Sequence, residues 1–103
     1  MPADFERLVD ELEERLAQSQ WSVSRGPNSV TVSMGWGMGA PGFTAWSSTT
    51  LTAAYDRASD LWVVTETLHQ GTTETGDDGG ERELGRFPSA ATAIQTLAAR
   101  AGS

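Results

Sequence analysis

Hydrophobic and polar residues alternate with a period of two over residues 49–69, which predicts two antiparallel strands joined by a short polar turn. We place the turn at residues 57–60, because a register shifted by one residue would set Trp62 opposite Asp56. The pairs predicted on the apolar side are Tyr55–Trp62, Ala53–Val64, Leu51–Glu66 and Thr49–Leu68. The pairs predicted on the opposite, hydroxyl-rich side are Thr52–Thr65, Thr50–Thr67 and Ser48–His69.

Two other stretches, one near each end of the chain, have apolar residues at three- and four-residue spacing, which is typical of amphipathic helices. The first helix is predicted over residues 4–18. The second begins after Pro88, with Ser89 as its N-cap, and ends at Gly102. The predicted apolar stripes are Phe5, Leu8, Val9, Leu12 and Leu16 in the first helix, and Ala90, Ile94, Leu97, Ala98 and Ala101 in the second.

The remaining segments predict three more strands and two glycine-rich connections. A hairpin over residues 21–34 has a four-residue loop at 25–28, so that Val23 faces Val30 and Trp21 faces Val32. Residues 35–42 predict an irregular connection, because glycine and proline are poor strand formers. Residues 71–80 predict a polar turn, and residues 81–87 a short fifth strand with Leu84 inward.

The order helix, five strands, helix predicts one α+β domain over residues 1–103. We expect two layers: an antiparallel five-stranded meander sheet, with the N- and C-terminal helices both on its apolar face. This layout is similar in outline to small acidic immunity proteins and to secretion chaperones, which bind other proteins. The similarity is an analogy at the level of the fold.

Charge narrows the classes of partner. The sequence has fourteen acidic and seven basic residues, all of them arginine, and a net charge of −7. This charge disfavours nucleic acids and anionic membranes, and it is compatible with a basic protein partner. No apolar run is long enough to span a membrane, and the acidic start of the chain is unlike a secretory signal, so we expect a cytoplasmic protein.

The residues that could carry chemistry are few. The single histidine, His69, faces Ser48 in the predicted hairpin, but no acidic residue is placed to orient its ring. The spacing of Gly35, Gly37 and Gly39 differs from that of a phosphate-binding loop. There is no cysteine, and the acidic turn lacks the alternating ligands of a calcium loop. We therefore expect no enzyme activity, cofactor or metal.

Glu66 is the one carboxylate that the predicted register sets on the apolar face. A carboxylate in such a position needs a cationic partner to remain charged. Arg82 and Arg86 lie on the predicted fifth strand, and either could form an internal ion pair with Glu66. A ligand-binding or catalytic role for Glu66 is the alternative.

The aromatic residues around the glycine-rich segment form the other candidate site. Trp46 belongs to the hydroxyl-rich side, and with Trp36 and Met38 it could form a contact surface at one edge of the sheet. The alternative is a local lid that packs on the sheet. Glu13 and Glu14, on the outer side of the first helix, could add an acidic contact for a partner.

These features favour a non-enzymatic protein-binding module, such as an inhibitor, immunity protein or secretion chaperone, that engages a more basic partner. One alternative is a small-ligand-binding domain or modest enzyme with a pocket near Glu66. Another is a homodimer joined through a sheet edge, with the glycine-rich segment covering or completing the edge of the second copy.

Overall fold

The computed structural model describes residues 3–102 and confirms the two-layer α+β meander. All neighbouring strands are antiparallel, and their order in the sheet is their order in the chain. The elements are α1 (Ala3–Leu16), β1 (Ser22–Gly26), β2 (Ser29–Ala40), β3 (Phe43–Asp56), β4 (Leu61–Thr72), β5 (Gly76–Phe87) and α2 (Ala90–Ala101).

Both helices pack on one face of the sheet, which we call the helix-side face, and the other face is the open face. The helix-side core is fully apolar. Its buried residues are Phe5, Val9, Leu12 and Leu16 from α1, Ala93, Ile94, Leu97, Ala98 and Ala101 from α2, and Val30, Val32, Leu51, Ala53, Trp62 and Val64 from the sheet. Trp62 joins the layers, because its ring stacks on Phe5 at a centroid distance of 5.1 Å.

The β3–β4 hairpin has the predicted register at every pair, from Ser48–His69 to Tyr55–Trp62. The apolar side of this hairpin is the helix-side face, as predicted. The hydroxyl-rich side is the open face, where Thr31 and Thr52 approach within 3.3 Å through their hydroxyl oxygens. The register was predictable because the hairpin has one apolar and one polar side, and a shift by one residue would exchange them.

The predicted register of the first hairpin is wrong by two residues. Val23 pairs with Val32, and Arg25 pairs with Val30, so that only Pro27 and Asn28 remain in the loop. A shift of two residues preserves the side on which each residue lies, so alternation alone could not distinguish the two registers. The guanidinium of Arg25 bonds to three carboxylates of α1, which favours the observed one.

The irregular connection predicted at residues 35–42 is also wrong. β2 continues to Ala40 and pairs with β3 along its whole length, and only Pro41 and Gly42 form the turn. Gly42 has a φ of +82°, a conformation that glycine adopts without strain. Main-chain pairing with the hydroxyl-rich β3 overrides the low strand propensity of the glycines.

The long polar turn predicted at residues 71–80 is reduced to residues 73–75. β4 extends to Thr72 and β5 begins at Gly76. The hydroxyl of Thr72 accepts hydrogen bonds from the main-chain N–H groups of Glu74 and Thr75, which closes the turn. β5 is therefore longer than the predicted strand over residues 81–87.

The second helix starts and ends close to the predicted residues. Ser89 precedes Ala90 in an extended conformation, but its side chain forms no capping hydrogen bond. Gly102 follows the last turn and donates its N–H to the carbonyl of Ala98 at 2.9 Å. Within residues 3–102, no helix has the length and apolar character needed to cross a membrane.

Candidate protein-binding site

The sheet extends beyond the two helices that cover it. The helices have 14 and 12 residues, or about 21 and 18 Å. β3 has 14 residues, or about 45 Å. The helices pack on the start of β2 and β4, so the uncovered part, here the distal end, comprises residues 34–49 and 68–80.

The distal end carries the exposed large apolar side chains. Trp36 and Met38 are 57% and 61% exposed, and Phe43 is 38% exposed. The uninterrupted β2–β3 register gives Trp36 and Met38 the same side as the buried Val30 and Val32. The apolar helix-side face thus continues past α1 and α2, where neither of these helices covers it.

β2 also has a free edge in this region. Tyr55 donates its main-chain N–H to the carbonyl of Asn28, so the even-numbered residues of β2 bond to β3 and the odd-numbered residues point outward. β1 accounts for the outward groups only up to Ser33. Beyond it, no described strand pairs with the outward-pointing groups, which belong to Gly35, Gly37 and Gly39.

The free edge of β2 lacks the features that usually block strand addition. Charged side chains, bulges and short strands protect natural sheet edges. β5, at the far edge, has a register shift opposite Val64 and Thr65 and several charged residues. β1 is only five residues long. In contrast, β2 between Met34 and Ala40 contains no charged residue, no proline and no register shift.

The distal end is uncharged over most of its area, and the charged residues beside it are acidic. Residues 26–55 contain no charged side chain at all. Glu74 and Asp78 lie at the β4–β5 end of the same region, and the sequence has no arginine between Arg57 and Arg82. The distal end is therefore an uncharged apolar surface beside acidic residues, and it contains no arginine or lysine to offset them.

Trp46 does not join Trp36 and Met38. It lies directly opposite Gly37, which alternates with Trp36 and Met38 along β2, and opposite Gly71 of β4. The side chain of Trp46 is therefore on the open face. Its ring lies over Gly71, where a β-carbon would be only 2.7 Å from its Cζ2 atom. The three residues predicted as one surface thus lie on two faces of the same strands.

Glu13 and Glu14, the acidic residues predicted to contact a partner, lie on α1. Glu13 already forms a hydrogen bond within the chain. Glu13 accepts a hydrogen bond from Arg25 Nε at 3.1 Å, and Arg25 also bonds to Asp10 at 2.7 Å and Glu6 at 3.0 Å. These bonds, that to Asp10 first, raise the pKa of the Arg25 guanidinium. Glu14 is exposed on the same helix.

Glu66 has the predicted position on the helix-side face, with one predicted partner and one unforeseen partner. Arg82 donates to it at 3.2 Å. Arg100 of α2 donates from Nε at 2.7 Å and from Nη2 at 3.2 Å, and these bonds hold the pKa of the Glu66 carboxyl below its usual value. Arg100 follows the buried Leu97 by three residues, a spacing that could have indicated its direction.

Arg86, the second predicted partner of Glu66, bonds elsewhere. It pairs with Glu83 at 3.0 Å and with Asp56 at 3.4 Å. The register shift in β5 lies between the two arginines, so Arg82 is opposite Glu66 whereas Arg86 is opposite Val63, whose side chain is on the open face. A strict period of two could not foresee this change of side.

The structure also gives the surroundings of Glu66 and His69, the two residues considered for chemistry. The depression beside Glu66 and Arg100 has a volume of about 250 Å³, below the usual range of ligand pockets. His69 lies opposite Ser48 on the open face, and no group of metal-binding side chains occurs within residues 3–102.

No family model matches this chain, and comparisons with curated proteins and with solved structures found no similar protein.

Proposed function

We propose that this chain is a non-enzymatic protein-binding module that engages a more basic protein through its distal end. The observation that carries the proposal is the exposure of Trp36 and Met38 on the face that elsewhere forms the core. An inhibitor, an immunity protein or a secretion chaperone would each use such a surface, and a small acidic α+β domain suits all three.

The chemistry of the distal end supports this partner class. Tryptophan and methionine are enriched in the centres of protein interfaces, because they bury a large area and adapt their shape. Glu74 and Asp78 lie beside this surface without a neighbouring arginine, so they favour a partner with basic residues around its apolar contact. The net charge of −7 adds long-range attraction to the same class of partner.

The test begins with a photo-crosslinking amino acid at position 43 in the native host. Phe43 is exposed at the distal end, so a bound protein should be captured there. The captured protein is then purified and titrated against the wild type and against the double variant Trp36→Ser/Met38→Ser. We expect the double variant to bind at least tenfold more weakly, and wild-type binding to weaken with added salt.

Trp46→Ser is the matched control, because it removes a tryptophan from the same end of the sheet but from the open face. We expect this variant to bind the captured protein as the wild type does, provided that circular dichroism shows that it is folded. Equal binding by the wild type and by Trp36→Ser/Met38→Ser would refute the proposal. A captured protein that is more acidic than this chain would refute the predicted partner class.

A further inference from the structure

We propose that a second copy of this chain pairs with the free edge of β2, and that the two distal ends together form the protein-binding surface. The pairing is antiparallel, with a two-fold axis at Gly37, and it extends from Gly35 to Gly39. This inference rests on the proposed function, because it states how the same surface is completed. The product is one ten-stranded sheet.

The main-chain N–H and C=O groups of β2 have the direction and spacing that this pairing requires. Gly35, Gly37 and Gly39 all direct their N–H and C=O groups outward. With Gly37 opposite Gly37 of the second copy, Gly35 lies opposite Gly39, and about six main-chain hydrogen bonds form. Glycine has no side chain to obstruct this approach. Pairing stops before Ser33, because β1 occupies the edge from there.

The side chains on β2 are self-complementary about the same axis. Trp36 of each copy lies opposite Met38 of the other, which brings an aromatic ring beside a thioether in both halves. Both residues already lie on one face, and a two-fold axis perpendicular to the sheet keeps them there. The pairing therefore produces a row of four large apolar side chains at the centre of the joined sheet.

The charges also permit two copies to meet at this edge. Each copy carries a net charge of −7, so most approaches between copies are repulsive. Residues 26–55 have no charged side chain, so β2 meets β2 without opposed like charges. The acidic Glu74 and Asp78 lie toward β4 and β5, at least two strand positions away from the joined edge.

The second copy completes the site rather than covering it. Strand addition uses the main chain in the plane of the sheet. The side chains of Trp36 and Met38, on the helix-side face, therefore stay available to a partner. The helices of the two copies lie on this same face, on either side of the axis. The joined distal ends thus become an apolar floor between two helical layers, twice the surface that one copy offers.

The test uses single cysteines, because the natural chain has none. Directly opposite residues of a hydrogen-bonded pair have Cα atoms about 5.5 Å apart, which suits a disulfide. Gly37→Cys should therefore form a covalent dimer under mild oxidation. Gly39→Cys is the matched control, because the Cα atoms of the two copies of residue 39 would be about 14 Å apart. A β-carbon at either position has only ordinary contacts, at 3.6 and 3.7 Å.

The mass of the uncrosslinked protein gives a second, independent measurement. Light scattering of the wild type should give twice the 11.0 kDa of the chain. Gly37→Pro should give a monomer with an unchanged circular dichroism spectrum, because the proline removes only an outward N–H group. A monomeric wild type, or a disulfide at Gly39 rather than Gly37, would overturn the inference. Neither result involves the partner, so the proposed function would stand or fall separately.

Discussion

Trp36 and Trp46 lie on opposite faces of the same pair of strands. In the β2–β3 register Trp36 is opposite Ser47, and the next pair along the strands is Gly37 opposite Trp46. Gly71 of β4, which is opposite Trp46, has no side chain, so the Trp46 ring lies over it on the open face. The distal end therefore presents its exposed apolar side chains on one face only, which is a more restricted surface than the sequence predicts.

This difference in exposure can be measured by quenching tryptophan fluorescence with acrylamide. Trp36 is 57% exposed, whereas Trp62 is 6% exposed. We expect Trp36→Phe to reduce the Stern–Volmer constant of the protein more than any other single Trp→Phe change. Trp62→Phe is the control and should not lower the Stern–Volmer constant, because the buried ring contributes emission that acrylamide hardly reaches. A larger reduction from Trp46→Phe would contradict the assigned faces.

Gly71 is required for close packing on the open face. A β-carbon there would lie 2.2 Å from the carbonyl oxygen of Gly76 and 2.7 Å from Trp46 Cζ2. We expect Gly71→Ala to lower the free energy of unfolding by about 1–3 kcal/mol, since the strands must move apart. Gly80→Ala is the matched control, because nothing lies within 4 Å of its β-carbon. Urea unfolding of both variants measures the difference, and equal stabilities would contradict this packing.

The β3–β4 register could be predicted from the sequence because side chains of both strands differ sharply between the two faces. Tyr55 and Trp62 on one side, and the threonines on the other, leave one acceptable alignment. The glycine-rich part of β2 could not be predicted in this way. Its alternation of glycine with Trp36 and Met38 has the period of a strand, but local propensity opposes a strand, and pairing with β3 decides the outcome.

The surroundings of Glu66 were predictable in part for a similar reason. Its side of the sheet followed from the hairpin register, and Arg82 followed from the neighbouring strand. The exclusion of Arg86 depends on a register shift, and the contribution of Arg100 depends on how α2 lies on the sheet. Both are tertiary features that strand periodicity does not contain.

The Glu66–Arg100 ion pair should stabilise the attachment of α2 to the sheet. The Glu66 side chain is only 15% exposed, so its bonds to Arg100 are partly shielded from water. We expect Arg100→Gln to unfold at a lower urea concentration than the wild type at pH 7, because Glu66 would keep its charge without this partner. Arg15→Gln, in the last turn of α1, is the control for loss of an arginine. Identical unfolding of the wild type and Arg100→Gln would contradict this role.

The same pair predicts a dependence on pH. The folded pKa of Glu66 lies below its unfolded value of about 4.3, so the stabilisation is complete above that pH. It is lost as the pH falls through the folded pKa, because protonation removes the charge. We therefore expect the stability difference between the wild type and Arg100→Gln to shrink between pH 5 and pH 3. A difference that stays constant over this range would show that Glu66 does not carry it.

Asp60 ends the β3–β4 turn in a left-handed conformation, with a φ of 57°. Aspartate and asparagine tolerate this region, whereas a β-branched residue does not. We expect Asp60→Val to lower the free energy of unfolding by about 1–3 kcal/mol. Asp60→Asn should have a much smaller effect. Thermal unfolding of both variants distinguishes a conformational requirement from a requirement for charge, and equal losses would point to charge.

Asp60 also controls the titration of Tyr55. The Tyr55 hydroxyl donates a hydrogen bond to the Asp60 carboxylate, and this bond raises the pKa of the phenol. Tyr55 is the only tyrosine, so phenolate absorbance at alkaline pH reports it alone. We expect Asp60→Asn to lower the pKa of Tyr55 toward its usual value of about 10, because the neutral amide no longer opposes the phenolate. Glu74→Gln, at the distal end, should leave the titration unchanged.

The raised pKa of Tyr55 also makes the stability of the fold depend on pH. Since the folded pKa is raised, the hydrogen bond to Asp60 stabilises the fold below about pH 10, and it ceases to do so as the pH rises through the folded pKa. Titration curves that coincide for the wild type and Asp60→Asn would show that the hydrogen bond is absent in solution.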